Sequence, residues 1–180
     1  MAEEPRAAGS ETLGDPVLWT PDAARRQSSQ LSAYMAWLTD EAGLAFGSYQ
    51  ELWRWSVTEL EEFWRSIWDY FEIRAHAPPT EVLAERRMPG ARWFPGATLN
   101  YAEHALARRG PEPALVAVNE AGGRVVLSRD ELAAQVARAR AGLRRLGVGR
   151  GDRVVAFLPS VADTVVAFLA TASLGAIWSS

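Results

Sequence analysis

Lysine is absent from this 180-residue sequence, in which all 19 basic residues are arginine. A guanidinium stays protonated across the physiological range, so the sequence supplies no Schiff-base amine and no lysine for a GK[ST] phosphate loop or an adenylation centre. Cysteine is absent as well. That excludes disulfides, thiolate metal sites and a cysteine nucleophile, and it fits the reducing cytoplasm, the expected location. Histidine is scarce: His76 and His104 are the two imidazoles. No Cys, Asp or Glu cluster accompanies either, so no metal ligand set is expected. Long apolar runs are missing too. The most apolar stretch, Val161 to Trp178, is interrupted by Asp163, several hydroxyls and Gly175, and it falls short of the ~18 consecutive apolar residues of a membrane span. The opening MAEEPRAAGS is acidic without an apolar core, unlike a secretory signal.

What is present favours a packed domain. Hydrophobic residues make up 48% of the chain, and at this length a single unit buries roughly 70% of the surface its unfolded chain exposes. Net charge is −3 with pI ≈ 5.5, and the charges are interspersed. No basic stripe stands ready to displace counterions from phosphates, so nucleic acid is not an expected partner.

The pattern along the chain predicts an α/β fold. Residues 1–27 read as a tail and lead-in, with the first 15 small, charged and aperiodic. From Ser28, the residues Leu31, Tyr34, Met35 and Leu38 recur at helical spacing and Gly43 is placed to end the helix. Ser56 with Glu59 reads as a capping box opening a second helix, whose stripe is Leu60, Phe63, Trp64, Ile67, Trp68 and Phe71. His76 to Pro79 breaks the helical zone, and Pro89, Gly90, Pro95 and Gly96 predict turns and extended chain. Thr98 is placed to cap a short helix carrying Leu99, Ala102 and Leu106, although Asn100 could also stay outside it. The helical region thus covers 28–110. Across 111–180 the texture changes. Ala114–Val118 and Arg124–Leu127 flank Ala121-Gly122-Gly123 as a hairpin, Ser128 and Glu131 form a capping box, and Leu132, Val136, Ala139, Leu143 and Leu146 mark a helix that Gly147 stops. Asp152–Leu158, a helix over Val161–Leu174 and a strand from Ala176 then form a strand–helix–strand unit with parallel strands.

Several residue sets invite a chemical reading. Gly147–Asp152, GVGRGD, follows a helix and precedes a strand, the reverse of a phosphate loop, and reads as a connector. Ser160, His104 and Asp163 could be assembled on paper into a hydrolase triad, but no GxSxG elbow accompanies them. Trp64 and Trp68, four apart beside Phe63 and Phe71, read as an aromatic core rather than a stacking platform. Arg86, Arg87 and Arg92 suit phosphate, yet surface ion pairs are the simpler expectation. No catalytic residue is assigned.

Four segments go beyond periodicity: LWRWSV at Leu52–Val57, MPGARWFPGATLNYAEHAL at Met88–Leu106, GDRVVAFLP at Gly151–Pro159 and ASLGAIWSS at Ala172–Ser180. In order and spacing, from about Trp19 onward, they resemble the acetoacetyl-CoA synthetase branch of the adenylate-forming acyl-CoA ligases. The resemblance implies a reaction in which a small carboxylic acid and ATP give an acyl-adenylate and diphosphate, after which CoA displaces AMP. It implies ATP, magnesium and CoA for the complete enzyme and none bound by this chain alone. The family's lysine-ended phosphate loop, ribose-binding Asp and carboxy-terminal Lys would lie beyond Ser180, so the sequence is expected to be an amino-terminal portion whose partner is the carboxy-terminal remainder. Residues 111–180 would then begin the large adenylate-forming domain. Trp93, Phe94, Pro95, Gly96, Leu99 and Asn100 would be scaffold, and Trp178, Ser179 and Ser180 would lie at a strand end on the CoA side. His104 stands where relatives commonly carry Asn. Three other readings remain open: an interaction or regulatory module that kept the scaffold without the chemistry, a fragment of a related acetyl- or propionyl-CoA synthetase, and a different small α/β enzyme.

Overall fold

The computed structural model describes residues 18–180, so the tail expected over the first 15 lies outside the described residues. Four helices are followed by short strands and helices, as expected for a mixed α/β chain, in two units that meet in sequence at Thr58 and Glu59.

The first unit is helical. Helix α1 (Ala23–Gln27) is capped by Asp22, whose Oδ1 accepts the Arg25 N–H at 2.8 Å. Helix α2 (Gln30–Ala42) starts at Ser29, buries Tyr34 and Leu38 of the expected stripe, and ends at Gly43, whose φ of 66° is the left-handed conformation glycine adopts without strain. Helix α3 (Tyr49–Thr58) corrects one expectation. Its start is Ser48, whose Oγ accepts the Glu51 N–H at 3.2 Å, while the Glu51 carboxylate accepts the Gly47 N–H at 2.8 Å. Ser56 caps nothing. It lies inside α3 and donates to the Trp53 carbonyl at 2.7 Å, the back-bond available to a serine in mid-helix. Two S-x-x-E patterns stand in this stretch, and the upstream one forms the cap.

In the second unit, helix α4 (Leu60–Tyr70) begins without a side-chain cap at Glu59. Its Trp64 and Trp68, one turn apart, meet the adjacent residues Trp93 and Phe94 at centroid distances of 5.6 and 4.7 Å. The expected stripe is shorter at its far end, because Phe71 lies past the last helical residue and is exposed. Strands β1 (Leu83–Glu85) and β2 (Arg92–Trp93) pair antiparallel around a turn containing a cis Met88–Pro89 bond. Helix α5 (Tyr101–Ala105) is capped by Asn100, not by Thr98. Thr98 is held upstream, bridging Ala77 as extended chain, which places Leu99 outside the helix as well.

Strands β3 (Pro113–Val118) and β4 (Arg124–Ser128) form the expected hairpin, with the Gly123 N–H on Asn119 Oδ1 at 2.7 Å across the turn. Helix α6 (Arg129–Arg145) opens on the full capping box: Ser128 Oγ accepts the Glu131 N–H and Glu131 accepts the Ser128 N–H. Leu132, Ala133 and Val136 are buried, whereas Leu146, expected on the same face, sits at the carboxyl cap and is exposed. Strand β5 (Arg153–Val155) leads through helix α7 (Ala162–Ser173) to β6 (Ile177–Ser179), which pairs parallel to β5. Strand β5 is shorter than the expected Asp152–Leu158. Its ladder with β6 pairs Arg153, Val154 and Val155 with Ile177, Trp178 and Ser179. The core of this unit gathers Ala102, Leu127, Leu132, Val136, Val166, Leu169 and Ala170 between α5, β4, α6 and α7.

Hydrogen bonds from the Ser128 backbone and then its hydroxyl hold the Glu131 carboxyl below its usual range. A carboxylate depressed in the folded state contributes stability that is present above its unfolded pKa and is lost as pH falls through its folded pKa. Glu131→Gln is therefore expected to lower the melting temperature at neutral pH, with the difference from wild type closing on acidification below the ordinary carboxylate range. A difference that stays constant across a melting series from neutral to acidic pH would rule the capping carboxylate out as its cause.

Candidate site at the carboxyl edge of the parallel strands

Parallel strands deliver their carboxyl ends to one edge, and in open α/β sheets ligands bind outside that edge. Here β5 and β6 end together. The register pairs Val154 with Trp178 and Val155 with Ser179, and the Ala156 N–H extends the ladder to the Ser179 carbonyl at 2.9 Å. The chain leaves β5 through Pro159, whose carbonyl accepts from Thr164 Oγ1 at 2.7 Å, and enters α7 at Val161 without a side-chain cap.

Residues of β6 alternate in exposure. Ile177 and Ser179 face out, while Trp178 is half-buried against α7. Its ring meets Phe168 edge-on at 6.2 Å, and Phe168 meets Tyr101 at 5.8 Å. Trp178 Nε1 donates to Ser180 Oγ at 3.1 Å, so the indole and the last hydroxyl are linked. Ser179 and Ser180 are exposed. The strand end thus offers neutral donors and acceptors beside an aromatic face. It can orient a ligand, and none of these three side chains titrates near neutral pH to move a proton for it.

The other sequence candidates are placed elsewhere. His76 Nε2 lies 2.8 Å from Glu103 Oε2, and His104 Nε2 lies 3.2 Å from the Arg74 carbonyl and 3.3 Å from its N–H, so both imidazoles fasten the strand-like lead of residues 73–77 to α5. Ser160 and Asp163 line a hollow of about 320 Å³ with Asn119, Val125 and Gln135. His104, bonded to Arg74, is not among its walls, so no triad is brought together. Arg87 and Arg92 pair with Glu85 at 2.9 and 3.3 Å, the surface ion pairs expected of them. Gly147–Asp152 is a turn, with Asp152 Oδ2 accepting the Gly149 N–H at 2.8 Å and left-handed glycines at 147 and 151. Among the described residues no three His, Asp or Glu side chains converge as metal ligands. No described helix is long and apolar enough to cross a membrane.

One residue with an active part was read from sequence only as scaffold or as a residue outside the helix. Asn100 caps α5 through Oδ1 and also donates Nδ2–H to the Ala172 carbonyl at 2.8 Å. An Asn just before a helical run signals the cap. Nothing local signals a bond across 72 positions.

The family described as the acetyl-coenzyme A synthetase N-terminus matches residues 49–105, and that of the AMP-binding enzymes matches residues 102–179. An acetoacetyl-coenzyme A synthetase of Rhizobium meliloti is 37% identical over 91% of this chain and 25% of its own length. The acetoacetyl-CoA synthetase of Danio rerio is 36% identical over 100% of this chain and 27% of its own. The solved acetoacetyl-CoA synthetase of Streptomyces lividans superposes with a TM-score of 0.80 at 47% identity, covering 89% of this chain and 26% of that one.

Proposed function

We propose that this chain, homologous to the amino-terminal part of acetoacetyl-CoA synthetases and spanning about a quarter of the length of the curated relatives it matches, serves an ATP-dependent acetoacetate–CoA ligase. The observation that carries the reading is the structural match at TM-score 0.80 and 47% identity over 89% of this chain. In that reaction the carboxylate displaces diphosphate from ATP, forming acyl-AMP, and the CoA thiol then displaces AMP and forms the thioester. Charge that builds on phosphate in the transition state demands preorganised cations and backbone donors. This chain has no lysine and no described metal ligand set. Its own contribution is therefore to build the sheet and hold the carboxyl edge. The hydroxyls of Ser179 and Ser180 and the Trp178 indole suit a neutral, amide-bearing part of CoA, while ATP and magnesium fall to the remainder of the ligase.

We read 1–27 as lead-in, 28–110 as the helical amino-terminal region and 111–180 as the opening of the adenylate-forming domain; the first family match, 49–105, lies within the second of these, and the other, 102–179, spans nearly all of the third. The cytoplasm is the proposed compartment.

The test is acetoacetate-dependent exchange of pyrophosphate into ATP. The full-length protein carrying this segment is expected to exchange, and the purified 180-residue chain is expected to show no more than a heat-treated control. A full-length protein that exchanges with no carboxylate, or an isolated chain that exchanges, would overturn the reading.

A further inference from the structure

Asn100 uses both ends of its amide. Capping α5 needs only an acceptor, which Asp or Ser would supply as well. The donor end is spare for that purpose and is spent on the Ala172 carbonyl at 2.8 Å, in a partly buried bond. That carbonyl also accepts the Gly175 N–H at 2.9 Å, the bond that closes the turn between α7 and β6. The turn has little slack. Thr171 O accepts from Leu174 and Ala176 at 3.1 and 3.3 Å, and Gly175, at φ 69°, accepts the Gly151 N–H at 3.0 Å. The Arg150 stem lies so close that a Cβ on Gly175 would meet its Cγ at 3.3 Å. Strand β6 begins two residues later. A second contact reaches the same strand, because the Tyr101 ring, next to Asn100, packs at a tilt against Phe168, which in turn meets Trp178. Ala102 and Ala170, both fully buried, let α5 and α7 approach closely enough for both contacts.

We propose that Asn100 and Tyr101 are positioning residues that set where the carboxyl end of β6 sits, and through Trp178 and Ser180 govern the thiol-transfer half of the ligase reaction. This rests on the CoA-side reading of Trp178–Ser180. Asn100→Asp separates the two jobs of the amide: the cap acceptor remains, while the donor is replaced by an oxygen that faces the Ala172 carbonyl.

The experiment uses the full-length protein carrying this segment and reads three quantities: pyrophosphate–ATP exchange with acetoacetate, the KM for CoA in thioester formation, and the melting temperature. Asn100→Asp is expected to raise the KM for CoA on the order of tenfold while exchange stays within about twofold of wild type. Tyr101→Leu is expected to move the KM in the same direction. An unchanged KM for CoA, or a parallel fall of exchange, thioester formation and melting temperature, overturns the proposal. Ser180→Ala and Trp178→Phe test the underlying reading separately. If they raise the KM for CoA and Asn100→Asp does not, the reading stands and the positioning role falls. If they are silent while Asn100→Asp acts, the effect does not run through β6 and the proposal falls. When all are silent, the CoA-side reading itself fails, and a wild-type protein without exchange removes the ligase reading.

Discussion

Replacing Phe94 with alanine in the full-length protein is expected to cost about 2 to 3 kcal/mol of stability while KM values for ATP and acetoacetate stay near wild type. The ring packs at a tilt against Trp68 at 4.7 Å, and the neighbouring Trp93 meets Trp64 at 5.6 Å, so two adjacent residues of the signature dock onto one face of α4. Truncating a fully buried Phe costs about 3 to 5 kcal/mol. Phe94 is half-buried, which places the expectation lower. Its backbone adds a sharper test. Phe94 has φ 45°, a left-handed conformation, held by its N–H on the Val82 carbonyl at 2.8 Å and by the Ala97 N–H on its own carbonyl at 3.1 Å. A side chain there costs about 1 to 2 kcal/mol that glycine does not incur. Phe94→Gly is therefore expected to be no less stable than Phe94→Ala, the reverse of the usual order in extended or helical chain. Thermal melts of both variants, with Michaelis constants for the folded fraction, decide it. An unchanged melting temperature with a raised KM would move Phe94 from scaffold to substrate contact.

The isolated 180-residue chain is expected to self-associate. One face of the β5–β6 pair carries Val155 at 78% exposure and Ile177 at 53%, and Phe157 just beyond is fully exposed. Parallel sheets ordinarily bury both faces, and contiguous apolar surface of this kind drives association. Gel filtration should show oligomers that bind an apolar dye. Changing Ile177→Glu, which lies opposite Arg153 in the parallel pair, together with Phe157→Lys is expected to restore a monomer. In the full-length protein carrying this segment the same two changes are expected to lower the melting temperature, because a parallel sheet ordinarily has both faces covered. A wild-type chain that runs as a monomer, melts sharply and reversibly and binds no dye would sink this expectation.

Much of the chain was determined by its sequence alone, wherever a signal is local. The Ser128–Glu131 capping box, the Gly43 and Gly147 stops, the hairpin around Gly122-Gly123 and the strand–helix–strand order follow from contacts within a few residues or from a periodicity that one helix or strand satisfies alone. The absence of lysine and cysteine likewise limits the chemistry whatever the fold. Locally degenerate signals needed the tertiary structure. Ser48 and Ser56 each precede a Glu by three residues, and only the packed chain shows α3 starting at the first and running through the second. Thr98 and Asn100 are both competent caps, and pairing of Thr98 with Ala77 leaves the task to Asn100. At the candidate site the resemblance pointed to Trp178, Ser179 and Ser180 as a strand end, but the bond from Asn100 to Ala172 and the ring contacts from Tyr101 through Phe168 to Trp178 join residues more than sixty positions apart. Such contacts exist only after α5 and α7 have packed, because a side-chain amide bond has reach of a few ångströms and no periodicity to announce it in the chain.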